Sequence, residues 1–145
     1  CGGLAAFNLH EENKPQPGEI SAADAGMRAG RYLVCEQLTG ENFVLERGER
    51  FTLTLPDHDA FRLYLFFPLS GRVTPLGRTD KFLSPAAILR RSQTGIRLYE
   101  GGKLGLFGIS RIATNLRPEV EGTQKGVIWT FNLAPNETEI RYLIE

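Results

Sequence analysis

Apolar and polar residues alternate in short runs along most of this chain. Arg50–Leu55 is the clearest case: Phe51, Leu53 and Leu55 share one side and Thr52 and Thr54 the other, the period of a half-buried strand. Residues 31–38 and 42–46 carry a similar β pattern around Gly40. In residues 60–69, Phe61, Leu63, Leu65 and Phe67 form one face, while Tyr64 and Phe66 make the other face apolar too. A strand of that kind is either central and covered on both faces, or it offers one face to a partner. Residues 71–75 and 79–83 are expected as short strands around a turn at Gly77. Residues 95–100 and 103–109 flank Gly101-Gly102, a hairpin signal. Residues 110–125 are expected to be irregular, and 127–133 and 139–144 to form a last hairpin around Ala134-Pro135-Asn136-Glu137. Two short helices are expected. One runs from Ser21, with Asp24 three positions on, to Gly30. The other follows Ser84 as cap with Pro85 at its first position.

About nine or ten short strands with frequent turns and no long helix define an all-β, mainly antiparallel fold: a β-sandwich or small barrel with one or two short helices. The 145 residues fit one domain of ordinary size. Residues 8–20 hold two prolines, a glycine and few large apolar groups, so 1–20 is expected as a tether and 21–145 as a single β domain. Hydrophobic residues make up 41% of the chain and charged residues 23%, which excludes a wholly disordered chain. No apolar run reaches the roughly 18 residues of a membrane-spanning helix.

The net charge is zero, so no overall field draws the chain to nucleic acid. The charge is unevenly spread: residues 62–117 carry ten basic and two acidic groups, whereas both flanking segments are acidic. Either the segments neutralise one another on folding, or the middle one presents a basic face. Arg90, Arg91, Arg97 and Lys103 are its densest part, and arginine forks suit carboxylates and phosphates.

The chain starts Cys1-Gly2-Gly3 and continues into the polar, proline-containing stretch. This resembles the start of a mature bacterial lipoprotein. The resemblance implies a diacylglyceryl thioether and an N-acyl chain such as palmitate on Cys1, and with Gly2 next, anchoring in the bacterial outer membrane. Three other readings of Cys1 stand beside it: a fragment start, a disulfide to Cys35, or an N-terminal nucleophile. Cys1 to Phe7 does look like the opening of a class II glutamine amidotransferase, but the chain is shorter than such a domain needs and shows no glutamine-binding segments.

Little else points to chemistry. His10 and His58 are the only histidines, and no ligands sit at zinc spacing, so no metal and no cofactor are expected. Asp57-His58-Asp59 fits a solvated turn. A Gly-x-Ser-x-Gly elbow is missing, and the Gly101–Gly108 stretch lacks the order of a phosphate-binding loop. The expected function is therefore non-catalytic. A lipid-anchored envelope protein would bind another envelope protein, as an assembly or pilot factor of a secretion or surface complex, with no nucleic-acid partner. Phe61, Leu63, Tyr64 and Phe66, together with Arg90, Arg91, Arg97 and Lys103, are the candidate contact residues. The alternatives are an inhibitor or immunity protein and a carrier of a lipid or small apolar ligand.

Overall fold

The computed structural model describes residues 1–123 and 125–145. Among the described residues the fold is all-β and antiparallel, built from four open sheets, none of which closes into a barrel. The chain divides into two compact units, Cys1–Leu69 and Ser70–Glu145, where a single domain was expected.

The first unit holds β1 (Gly2–Phe7), β2 (Gln16–Ser21), β3 (Tyr32–Glu36), β4 (Asn42–Leu45), β5 (Arg50–Leu55) and β6 (Phe61–Pro68). One sheet has the order β1-β6-β3-β4, and β2 pairs with β5 in a second. Their facing sides share a core of Ile20, Tyr32, Val34, Leu45, Tyr64 and Phe66, with Phe51 and Leu53 packed against it. Phe51 lies edge-on to both Phe43 and Tyr64, with ring centroids 4.9 and 5.0 Å apart. β6 is a central strand, paired with β1 and β3, and Tyr64 through Phe67 are all buried. That is why both of its faces are apolar.

The tether expectation fails for two stretches. Gly2–Phe7 pairs along its length with β6, and Leu4 and Ala6 pack on the core. At Gly2 the space is small: a Cβ there would lie 2.5 Å from Met27 Sδ and 2.9 Å from the Ala25 carbonyl. Gln16–Ser21 pairs with β5 alone, so Pro17 costs no central ladder bond. The expected helix after Ser21 is a turn. Asp24 accepts hydrogen bonds from Ser21 N and Oγ at 2.8 and 2.7 Å, but Gly26 at φ +68° stops it before a helix forms.

The second unit holds β7 (Val73–Arg78), a 3₁₀ turn (Ser84–Ala87), β8 (Ile88–Arg91), β9 (Gly95–Leu98), β10 (Lys103–Gly108), β11 (Ile112–Thr114), β12 (Glu119–Thr123), β13 (Gly126–Asn132) and β14 (Glu139–Ile144). The sheets β12-β13-β10-β7 and β11-β14-β9-β8 face each other across Leu98, Leu104, Leu106, Trp129, Phe131 and Ile140, a small sandwich.

Both expected hairpins are instead crossovers between its sheets. β9 pairs with β8 and β14, while β10 pairs with β7 and β13. β13 and β14 part in the same way. The two crossovers touch: Leu133 N donates to the Gly102 carbonyl at 3.0 Å, and a Cβ on Gly101 would stand 1.9 Å from the Ala134 carbonyl oxygen. The paired glycines therefore record a close approach of two chain segments, not a hairpin turn. Gly77 likewise lies inside β7 at φ +82°, opposite the register shift in β10, so the expected turn and second strand at 79–83 are absent. Pro85 opens a single 3₁₀ turn before the chain extends as β8, and Leu83, not Ser84, takes the cap position. Part of the segment expected to be irregular is β11 and β12.

Candidate functional site

The proposed contact residues separate when placed on the fold. Tyr64 and Phe66 are interior, 5% and 0% exposed, and offer no surface to a partner. Leu63 is half-buried. Phe61 does reach solvent, where its ring stacks on Phe7 with centroids 5.9 Å apart. The error comes from β6 being a central strand whose Tyr64 and Phe66 pack into the core shared with β2 and β5.

Lys103 is exposed on β10 and does not share a hairpin with Arg97, since the two residues belong to different sheets. Arg90, Arg91 and Arg97 do converge. Arg90 faces Arg97 across the β8–β9 ladder, and Arg97 faces Glu139 across the β9–β14 ladder. With Arg141, Ser92 and Thr94 they line a depression of about 300 Å³. Arg141 was missed because it lies far along the chain; its only signal is the alternation of Glu139 and Arg141 with the buried Ile140 and Tyr142. Glu139 Oε1 accepts from Arg141 Nε at 3.0 Å. Among the described residues no carboxylate forms an ion pair with Arg90, Arg91 or Arg97. Burial raises the pKa of the Tyr142 hydroxyl, against the pull of the nearby Arg91 charge.

Sequence reasoning missed a second surface in this unit. The 3₁₀ turn and the end of β9 bring Leu83, Ala86, Ala87 and Tyr99 around a depression of about 440 Å³ edged by Lys81 and Glu100. Leu83 is 61% exposed and Tyr99 67%, and Phe82, next in the chain, is 63% exposed. Tyr99 N donates to the Ala87 carbonyl at 3.0 Å, which fixes the base of its side chain against the turn. Charges at the rim cancel. Arg78 forms a two-pronged pair with Asp80, at 2.8 and 2.5 Å, and a second with Glu100 at 3.0 Å; Lys81 also bonds Glu100. The hydrogen bond from Arg78 holds the Asp80 carboxyl below its usual range, against partial burial, and Lys81 does the same for Glu100.

His58, Asp57, Glu36 and Asn8 make local hydrogen bonds. His58 N donates to Asn13 Oδ1 at 2.6 Å, and the His58 ring contacts the His10 carbonyl. Asp57 Oδ1 accepts from Asp59 N and Ala60 N, a local turn. Buried Glu36 accepts from Leu38 N, Thr39 N, Thr39 Oγ1 and Leu63 N at 3.1, 2.5, 2.6 and 3.3 Å. Asn8 clasps the Lys14 and Leu55 carbonyls. Among the described residues no group of His, Cys, Asp and Glu is placed to hold a metal ion.

Cys1 is exposed and Cys35 buried, and no disulfide joins them. β6 separates β1 from β3 by about 9–10 Å, and Gly3, not Cys1, is level with Cys35 through Leu65, so the two cysteines lie farther apart still, beyond the reach of a disulfide. Compared with known proteins, the chain matches no family model and no curated sequence.

Proposed function

We propose that the chain is a non-catalytic β module that binds a protein surface through Phe82, Leu83 and Tyr99. The carrying observation is that exposed Leu83 and Tyr99 line one depression with a charged rim, and that Phe82, next to Leu83 in the chain, is exposed as well. Protein interfaces have this anatomy: an aromatic and aliphatic centre, from which water is excluded, inside a polar rim. Because Arg78, Asp80, Lys81 and Glu100 already neutralise one another, the rim exerts little net field, and the matching surface is apolar and uncharged at its centre. Elsewhere the polar side chains make local bonds: the His10 ring accepts from Glu12 N, the His58 ring contacts the His10 carbonyl, and Glu36 and Asn8 bond to nearby backbone. A lipid on the exposed Cys1 is compatible with protein binding, but β1 begins at Gly2, so the anchor would hold the sheet edge flush with the bilayer without a spacer.

The test is the pair Leu83→Ser and Tyr99→Ser. Each is expected to weaken partner binding about tenfold or more, the behaviour of central interface residues, while thermal unfolding stays unchanged. Unaltered binding by the double variant would overturn the proposal.

A further inference from the structure

The arginine-lined depression on the outer face of the β11-β14-β9-β8 sheet is a second surface, independent of the one above. Its electrostatics are unfinished within the chain. Like charges directly opposite on neighbouring strands repel, and Arg90 faces Arg97 in that way with no carboxylate among the described residues bonded to either. The one acid at hand, Glu139, is bonded to Arg141. An anion seated between β8 and β9 would relieve this repulsion and gain charge-assisted hydrogen bonds from guanidinium forks. The depression also adjoins a larger one of about 770 Å³, sharing Thr94, Glu139 and Arg141 with it and adding Asn115 and Leu143. Amide, hydroxyl and apolar groups thus continue directly from the cationic end.

We infer that this face binds an extended acidic peptide segment, its carboxylates held by Arg90, Arg91 and Arg97 and its remaining backbone and side chains lying over Thr94, Asn115 and Leu143. In an extended chain, alternate side chains point the same way about 6.8 Å apart, which lets successive acids reach cations on adjacent strands. A bare phosphate would use the arginines and leave the adjoining groups idle. A nucleic acid would lack a platform, because the only aromatic ring lining either depression, Tyr142, is 4% exposed and unavailable for base stacking.

The experiment uses the whole chain and a fluorescein-labelled peptide of alternating Glu and Ser, followed by anisotropy. Saturable binding is expected at about 0.05 M salt and loss of most of it at about 0.5 M, as screening shortens the reach of surface charges. The variant Arg90→Ser/Arg91→Ser/Arg97→Ser should bind about tenfold or more weakly with its circular dichroism intact, because all three side chains are exposed. Glu139→Gln should bind severalfold tighter, since it removes an opposing charge and frees Arg141. Wild-type affinity in the triple variant overturns the inference. So does tighter binding of an oligothymidylate of equal charge, or full displacement of the peptide by inorganic phosphate at matched ionic strength.

Discussion

Replacing Glu36 with Ala is expected to destabilise the Cys1–Leu69 unit by about 2–3 kcal/mol. Glu36 is 2% exposed, and its carboxylate accepts four hydrogen bonds, from Leu38 N, Thr39 N, Thr39 Oγ1 and Leu63 N. Leu38 and Thr39 are both exposed, so their amides find water after the change, and the Thr39 hydroxyl can rotate to do the same. The amide of half-buried Leu63 is left without a partner, and such a loss costs about 1.5–3 kcal/mol when the acceptor was charged. The pH dependence gives an independent check. Burial pushes the Glu36 pKa up, but the hydrogen bonds from Thr39, Leu38 and Leu63 outweigh it, and the group ends below its usual 4.5. A carboxyl depressed on folding stabilises the fold above its unfolded pKa, and that stabilisation is lost as the pH falls through the lower folded value. The gap between wild type and Glu36→Gln should therefore be full near neutrality and shrink below about pH 4. The assay is urea unfolding followed by circular dichroism, with hydrogen exchange at the Thr39 and Leu63 amides. Trp129 lies in the other unit and is not the probe to use. A loss under about 0.5 kcal/mol for Glu36→Ala, or a gap that does not narrow in acid, would refute the reasoning.

Gly101→Ala should destabilise the Ser70–Glu145 unit by about 2–3 kcal/mol, because its Cβ meets the Ala134 carbonyl, which is backbone and cannot step aside. Gly122→Ala, with nothing within 4 Å of its Cβ, should be neutral or slightly stabilising; chemical denaturation of the pair reads the contrast. Phe131→Ala should cost about 3–5 kcal/mol, seen as a lower midpoint in Trp129 fluorescence, since Phe131 is 0% exposed in the same core. Arg62→Ala, at a position outside both candidate surfaces, should leave binding to the acidic peptide unchanged in the anisotropy assay.

The strand character of this chain is legible because period-two alternation is local. Phe51, Leu53 and Leu55 announce β5, and the apolar run of residues 61–67 announces β6, though it leaves open whether both faces are covered. Pairing is not local, and there the sequence misleads. Gly101-Gly102 and the 134–137 segment have the composition of hairpin turns, yet each carries the chain from one sheet to the other. What selects the crossover is the contact between them, some thirty residues apart in sequence. β1 escapes detection for the opposite reason. Its Gly and Ala residues bury little apolar surface, and only the nearness of Met27 and the Ala25 carbonyl explains why Gly2 must be small. The arginine face was half visible: Arg90, Arg91 and Arg97 cluster in sequence, but Arg141 joins them only through the β9–β14 ladder. The apolar patch was hidden because residues 79–83 pattern as a strand, whereas the 3₁₀ turn leaves Phe82 and Leu83 exposed.

The central claim, protein binding at Phe82, Leu83 and Tyr99, is tested most directly by photo-crosslinking in the native cell. A benzophenone amino acid would replace Tyr99, and in a parallel sample Val120, which is 65% exposed on β12 and remote from the patch in sequence. A single protein adduct formed from position 99 and not from position 120, and lost on adding Leu83→Ser, is the predicted result. Equal labelling from both positions, or adducts to lipid or solvent alone at position 99, would contradict it.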